Sequence, residues 1–145
     1  MKKDKEEMKE LLWRWGQAME QFSWKEEEVN RLQVFCEMQK CVWEKNPTER
    51  EKRELERIEK ENREEIGRLR IEMVEILREK RWVDEMISKM KLDEKQFLQM
   101  RFEKGYGFEY ISMKMHLSRA TLFRLQDKVL EKMIEMKNGD DMRLY

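Results

Sequence analysis

The sequence is short of the residues that turn a chain. One proline and five glycines serve 145 residues. A β-sandwich or barrel needs far more turns than that, and a Pro/Gly-rich disordered tract is excluded by the same shortage. No run approaches the roughly eighteen apolar residues of a membrane-spanning helix. Met1-Lys2-Lys3-Asp4-Lys5-Glu6-Glu7 leads into no apolar segment, so neither a membrane anchor nor a signal peptide is expected. There are two cysteines and one histidine. Cys36 and Cys41 are five apart on what reads as one helix and point to different sides. They are expected to be reduced thiols filling small apolar positions, and no metal is expected. There is also no glycine-rich phosphate loop. Carboxylates are abundant, but on charge-alternating helices they form a solvated face. The chain reads as a non-enzyme without a cofactor.

What is present is charge. Charged residues make up 44%, with Lys+Arg at 32 and Asp+Glu at 32, so the formal net charge is zero. Five Trp, six Phe and thirteen Met still allow a core. The expected class is all-α, in a protein of the cytoplasm. An N-terminal helical arm with a long coiled-coil-like helix (1–90) precedes a C-terminal trihelical helix-turn-helix domain (91–138) and a tail (139–145).

In the arm, Met8, Leu12, Trp15, Met19 and Phe22 recur at spacings of four and three, one stripe of an amphipathic helix. Ser23 with Glu26 three residues later reads as a capping box that starts a second helix, carrying Val29, Leu32, Phe35, Cys36, Val42 and Trp43. The aromatic residues Trp13, Trp15, Phe22 and Trp24 are expected in the core. Asn46-Pro47-Thr48-Glu49 stops the second helix and starts a third, with Pro47 suited to the first helical position and Asn46 or Thr48 as cap. The third helix is expected over 47–90. Its seam is Leu55, Ile58, Asn62, Ile66, Leu69, Met73, Ile76, Lys80, Val83, Ile87 and Met90, a heptad pattern with one 4-4-3 insert. Around it lie opposite charges at i,i+4, such as Glu49–Arg53 and Glu56–Lys60. A helix this long needs packing. Either Leu55, Ile58, Asn62, Ile66, Leu69, Met73, Ile76, Val83 and Ile87 form an oligomerisation surface, with a homodimer expected, or the seam folds back on the N-terminal helices. Both together also fit the pattern.

The pattern changes after Met90. Asp93 reads as a cap with Gln96 as its partner, and a helix runs to Gly105. Gly105-Tyr106-Gly107 reads as a turn. A short helix from Phe108, a tight turn at His116-Leu117, the cap Ser118 and a long helix ending at Asn138-Gly139 complete the unit. Short helix, turn, longer helix is the helix-turn-helix order. Leu122, Leu125 and Val129 face inward by spacing. Ser118, Arg119, Ala120, Thr121, Phe123, Arg124 and Lys128 are the candidate DNA-binding residues. Arginine donates bidentately to guanine, threonine offers a hydroxyl or meets a thymine methyl, and lysine neutralises phosphate. Phe123 either meets a thymine methyl or packs against the arm. From residue 110 to 132 there are five basic and two acidic residues, and it is this local balance that bears on DNA.

The run Leu92-Asp93-Glu94-Lys95-Gln96-Phe97-Leu98, then Arg101-Phe102 and Gly105, then Tyr110-Ile111-Ser112 and Leu117-Ser118-Arg119-Ala120-Thr121-Leu122-Phe123-Arg124 resembles region 4 of sigma-70-type factors over roughly a third of the chain. The resemblance implies that Arg119, Ala120 and Arg124 sit at base-reading positions, and that Ser118 and Thr121 open the recognition helix. Ser112 stands where that family has alanine, and His116 where it has the glycine of the turn. Nothing upstream resembles the region that binds core polymerase, so a complete sigma factor is not expected. A region-4-like unit behind a charged helical arm resembles the RinA/ArpU-like late-gene activators of phages and mobile elements.

The function expected is a sequence-specific transcriptional regulator that reads double-stranded DNA with the 118–132 helix, RNA polymerase being a further partner. Two other classes fit the same pattern. One is a small-terminase-like DNA-recognition subunit, which a large ring would betray. The other is a coiled-coil interaction protein that binds RNA polymerase or another regulator without DNA.

Overall fold

A computed structural model describes the backbone of residues 2–144 and the side chains of residues 2–139. Among the described residues there are five α-helices and no strand. They are α1 (Lys2–Trp43), α2 (Glu49–Ser88), α3 (Leu92–Leu98), α4 (Phe108–Met115) and α5 (Arg119–Leu144). The chain is therefore all-α. Helix α3 runs on into a π-helical turn, Gln99–Glu103.

The two helices expected before Asn46 are one. Helix α1 passes through Ser23, whose side chain is exposed. A serine caps a helix only where the backbone leaves the helical region. No glycine or proline forces it to do so here, and serine inside a helix costs only tenths of a kcal/mol. The break after Trp43 is as expected. Asn46 takes the left-handed region at φ 52°. Thr48 Oγ1 accepts from the Glu51 amide at 3.2 Å, and Glu51 Oε1 accepts from the Thr48 amide at 3.0 Å. That reciprocal pair is a capping box, so α2 starts at Glu49 and Pro47 lies two residues before it, not at the first helical position. The cap of α3 also differs from expectation. Lys91 donates its amide to Glu94 Oε1 at 2.9 Å, so Glu94 takes the role assigned to Gln96, and Asp93 lies inside the helix. At the other end α5 runs through Asn138-Gly139 to Leu144, where a tail was expected. A glycine ends a helix only if its backbone turns left-handed, and Gly139 stays helical.

The chain divides into two compact units, and the division is not at residue 90. One unit is Met19–Leu77, a hairpin of α1 and α2. Val29 and Leu32 pack there on Leu69, with Ile66 and Met73 against them, and Lys25 Nζ meets Glu72 Oε2 at 2.8 Å. The other unit joins the segment ending at Ala18 to everything from Arg78 on. Its core holds Met8, Leu11, Leu12 and Trp15 from α1, and Trp82, Val83, Met86, Ile87 and Met90 from the end of α2. From the C-terminal helices it takes Phe97, Leu98, Phe102, Ile111, Leu122, Leu125, Val129, Leu130 and Met133. Trp15 Nε1 donates to Asp84 Oδ1 at 2.8 Å, and Arg14 Nε donates to Glu79 Oε1 at 2.9 Å.

The α2 seam is thus turned inward within one chain. Leu69, Val83 and Ile87 are buried, and Leu55, Ile58, Asn62, Ile66, Met73 and Ile76 are half-buried. The fold-back of the seam on α1 is observed within the chain. Flanking ion pairs on α2 fall at both i,i+3 and i,i+4, as in Glu54–Arg57 and Glu59–Arg63, and Glu49 meets Lys52 rather than Arg53. Exposed pairs of this kind contribute little. Trp15 is buried, whereas Trp24 is 55% exposed and Met19 53%. The 4-3 stripe through Met19 therefore does not continue as core. Phe35, Val42 and Cys41 are exposed as well, and Cys36 is half-buried.

Gly16 explains how α1 reaches the C-terminal helices. A Cβ on it would lie 1.8 Å from the Phe102 carbonyl oxygen and 2.5 Å from its carbon. Alanine is the better helix former by about 1 kcal/mol, but here it would push α1 off the π turn. Gly16→Ala is expected to lower stability by about 1–3 kcal/mol. Urea denaturation checks this, and an unchanged or higher midpoint would mean that α1 does not approach so closely.

Candidate nucleic-acid interface

The candidate residues lie on the first turns of α5, and local hydrogen bonding sets how that helix begins. Helix α4 ends at His116, which holds φ 57° and ψ 40°. The residue accepts the left-handed backbone that glycine would take more cheaply. Leu117 then donates its amide to the Ser112 carbonyl at 3.1 Å. The Ser112 hydroxyl donates to the Leu117 carbonyl, so the hydroxyl that replaces an expected alanine ties down the turn. Ser118 Oγ accepts from the Thr121 amide at 3.1 Å and lies 2.8 Å from the Thr121 hydroxyl. Both hydroxyls are spent on starting the helix.

From that start the helical period sorts the side chains. Leu122, Leu125 and Val129 are buried. Arg119, Ala120, Arg124 and Lys128 are exposed, and Thr121 is half-buried. None of Arg119, Arg124 and Lys128 has a salt-bridge partner among the described residues. Phe123 is 47% exposed, and its ring stacks on Phe108 at 4.5 Å with 20° between planes. Its packing is therefore on α4, not on the arm. No family model, curated protein or solved structure matches this chain. What the site can do is argued from its own geometry.

Three groups support the face without belonging to it, and spacing alone did not reveal them. The Arg101 guanidinium lies over the Trp13 ring at 5.2 Å and the Phe108 ring at 4.9 Å, and Nη1 donates to the Tyr106 carbonyl at 3.0 Å. With the Phe108–Phe123 stack this forms one line of contacts from α1 to the first turn of α5. Lys5 meets Glu131 at 3.3 Å and Asp127 at 3.7 Å. These are the two acidic residues counted against the basic ones in 110–132, so α1 screens the charges that would oppose an anion on α5. No sequence signal links Lys5 to them. Glu94 is buried and receives both Lys132 Nζ contacts at 2.9 Å. Burial alone would raise its pKa. The Lys132 ammonium and the Lys91 amide outweigh that and hold the carboxyl below its usual 4.5.

Chemically the face offers cations and hydrogen-bond donors on a helix whose opposite side is locked in a core. Among the described residues no group of three or more potential metal ligands occurs, and no helix is long and apolar enough to cross a membrane.

Proposed function

We propose that this protein is a sequence-specific DNA-binding transcriptional regulator with a region-4-like helix-turn-helix, which lays the start of α5 in the major groove. The observation that carries the reading is Arg124. It is exposed, without an ion-pair partner among the described residues, and one turn from the exposed Arg119 and Ala120. The buried Leu122 and Leu125 fix the direction of that turn. A major groove admits one α-helix, and arginine meets guanine O6 and N7 bidentately there. The charge distribution supports the same reading. Residues 19–77 hold twelve Lys+Arg against sixteen Asp+Glu, and the rest of the chain twenty against sixteen. The basic excess therefore belongs to the unit that contains α5, and it is spread over that unit's sequence. In this reading the first amides of α5, after the cap Ser118, meet a backbone phosphate. A homodimer on two half-sites is part of the same proposal, with the half-buried seam positions Leu55, Ile58, Asn62, Ile66, Met73 and Ile76 as its candidate contacts.

Selection of bound sequences from a random duplex pool tests the proposal, followed by titration of the enriched site. Arg124→Ala is expected to weaken specific binding by about ten- to a hundredfold, the worth of one good base contact. Its helical circular dichroism should stay that of the wild type, because the side chain is exposed. No enrichment at low salt, where phosphate contacts are strongest, or equal affinity of variant and parent, would overturn the reading.

A further inference from the structure

We propose that the hairpin of residues 19–77 carries a binding site for a nucleotide-like anion, independent of the α5 face. A cavity of about 410 Å³ opens between α1 and α2, lined among others by Cys36, Gln39, Trp43, Arg63, Gly67 and Arg70. Its size falls in the range of small-molecule sites.

Gln39 is the decisive residue. It is 7% exposed, and among the described residues neither Nε2 nor Oε1 has a hydrogen-bond partner. A buried amide left wholly unpaired is rare, because both its donors and its acceptor have given up water. A hairpin that only needed to pack would do better with leucine there. The amide suits a ligand with a neighbouring acceptor and donor on one edge, as a nucleobase has. Trp43 supplies an aromatic ring at the same cavity. The cations at the rim differ in availability. Arg63 is held by Glu59 at 3.0 Å and Lys40 by Glu37 at 3.2 Å. Arg70 has no salt-bridge partner among the described residues, and its planar fork suits phosphate. Gly67 leaves its side open, since a Cβ there would meet nothing within 4 Å beyond its chain neighbours and its own helix backbone. Edge-reading amide, ring and unpaired guanidinium together describe a base joined to a phosphate.

Calorimetric titration of the full chain with AMP, GMP, CMP and UMP at millimolar concentration tests this. At least one nucleotide should bind. Gln39→Leu should weaken that binding roughly tenfold or more, and should raise the denaturation midpoint, since an apolar side chain replaces an unpaired amide. Arg70→Ala should weaken the nucleotide but not the matching nucleoside. Arg124→Ala should leave nucleotide binding unchanged, which keeps the result separate from phosphate attraction to α5 and from the DNA reading. Absence of heat with all four nucleotides overturns the proposal, as does loss of binding in Arg124→Ala. A lowered midpoint in Gln39→Leu would also overturn it, by showing that the amide is there for the stability of the hairpin.

Discussion

A fragment of residues 91–145 is expected to be unfolded, although it contains every helix of the proposed DNA-reading unit. Met8, Leu11, Leu12, Trp15, Trp82, Val83, Met86, Ile87 and Met90 are nine of the eighteen buried side chains in its core, and the fragment has none of them. Burying a large apolar side chain is worth about 1.5–3 kcal/mol, so the loss exceeds the whole stability of a typical domain, about 5–15 kcal/mol. A chain of that length is marginal even with a complete core. The fragment should show little helical circular dichroism, a poorly dispersed proton spectrum and no selective DNA binding. Linking residues 1–18 and 78–90 back to it should restore cooperative unfolding. A fragment that melts cooperatively without them would show that α3, α4 and α5 are sufficient, and that α1 only rests on a finished domain.

The same observation bears on how the fold could be read. The order α3, turn, α4, turn, α5 was legible because its signals are local: the cap at Ser118, the 3–4 spacing of Leu122, Leu125 and Val129, and the glycines at 105 and 107. The break at Asn46-Pro47 was legible for the same reason. Helical periodicity, however, fixes a face and not what covers it. The seam from Leu55 to Ile87 fits a second chain, α1, or both. Ser23-Glu26 is a permissive signal, since a capping box only starts a helix if something else has ended the one before it. Gly16 carries no periodic signature. Its role is the close approach of a carbonyl some eighty residues away. The supporting contacts of Lys5 with Asp127 and Glu131, and of Arg101 with Trp13, were hidden because these partners are distant in sequence. Arg119, Arg124 and Lys128 were foreseeable, since a helix with an apolar stripe must present its remaining positions outward.

Removing the Glu94 carboxylate is the single substitution with the largest expected cost. Glu94 closes the first turn of α3 through the Lys91 amide and binds Lys132 on α5, so one buried group holds two helices to each other. Glu94→Ala takes away the acceptor for that amide and leaves Lys132 without its counter-charge. Breaking a buried pair from one side costs about 3–5 kcal/mol. The lower end applies here, because the Lys132 side chain is 31% exposed and can turn to water. Glu94→Gln should cost less, as it keeps the volume and one acceptor for Lys91. The pH dependence has a definite sign. The folded-state pKa lies below the usual 4.5, so the carboxylate's contribution is complete above the unfolded-state pKa and is lost as pH falls through the folded value. The stability gap between parent and Glu94→Ala, measured by urea denaturation at several pH values, should therefore be constant near neutrality and narrow below about pH 4. A gap that widens on acidification would mean that Glu94 is protonated in the folded protein, and that Lys132 does not hold it.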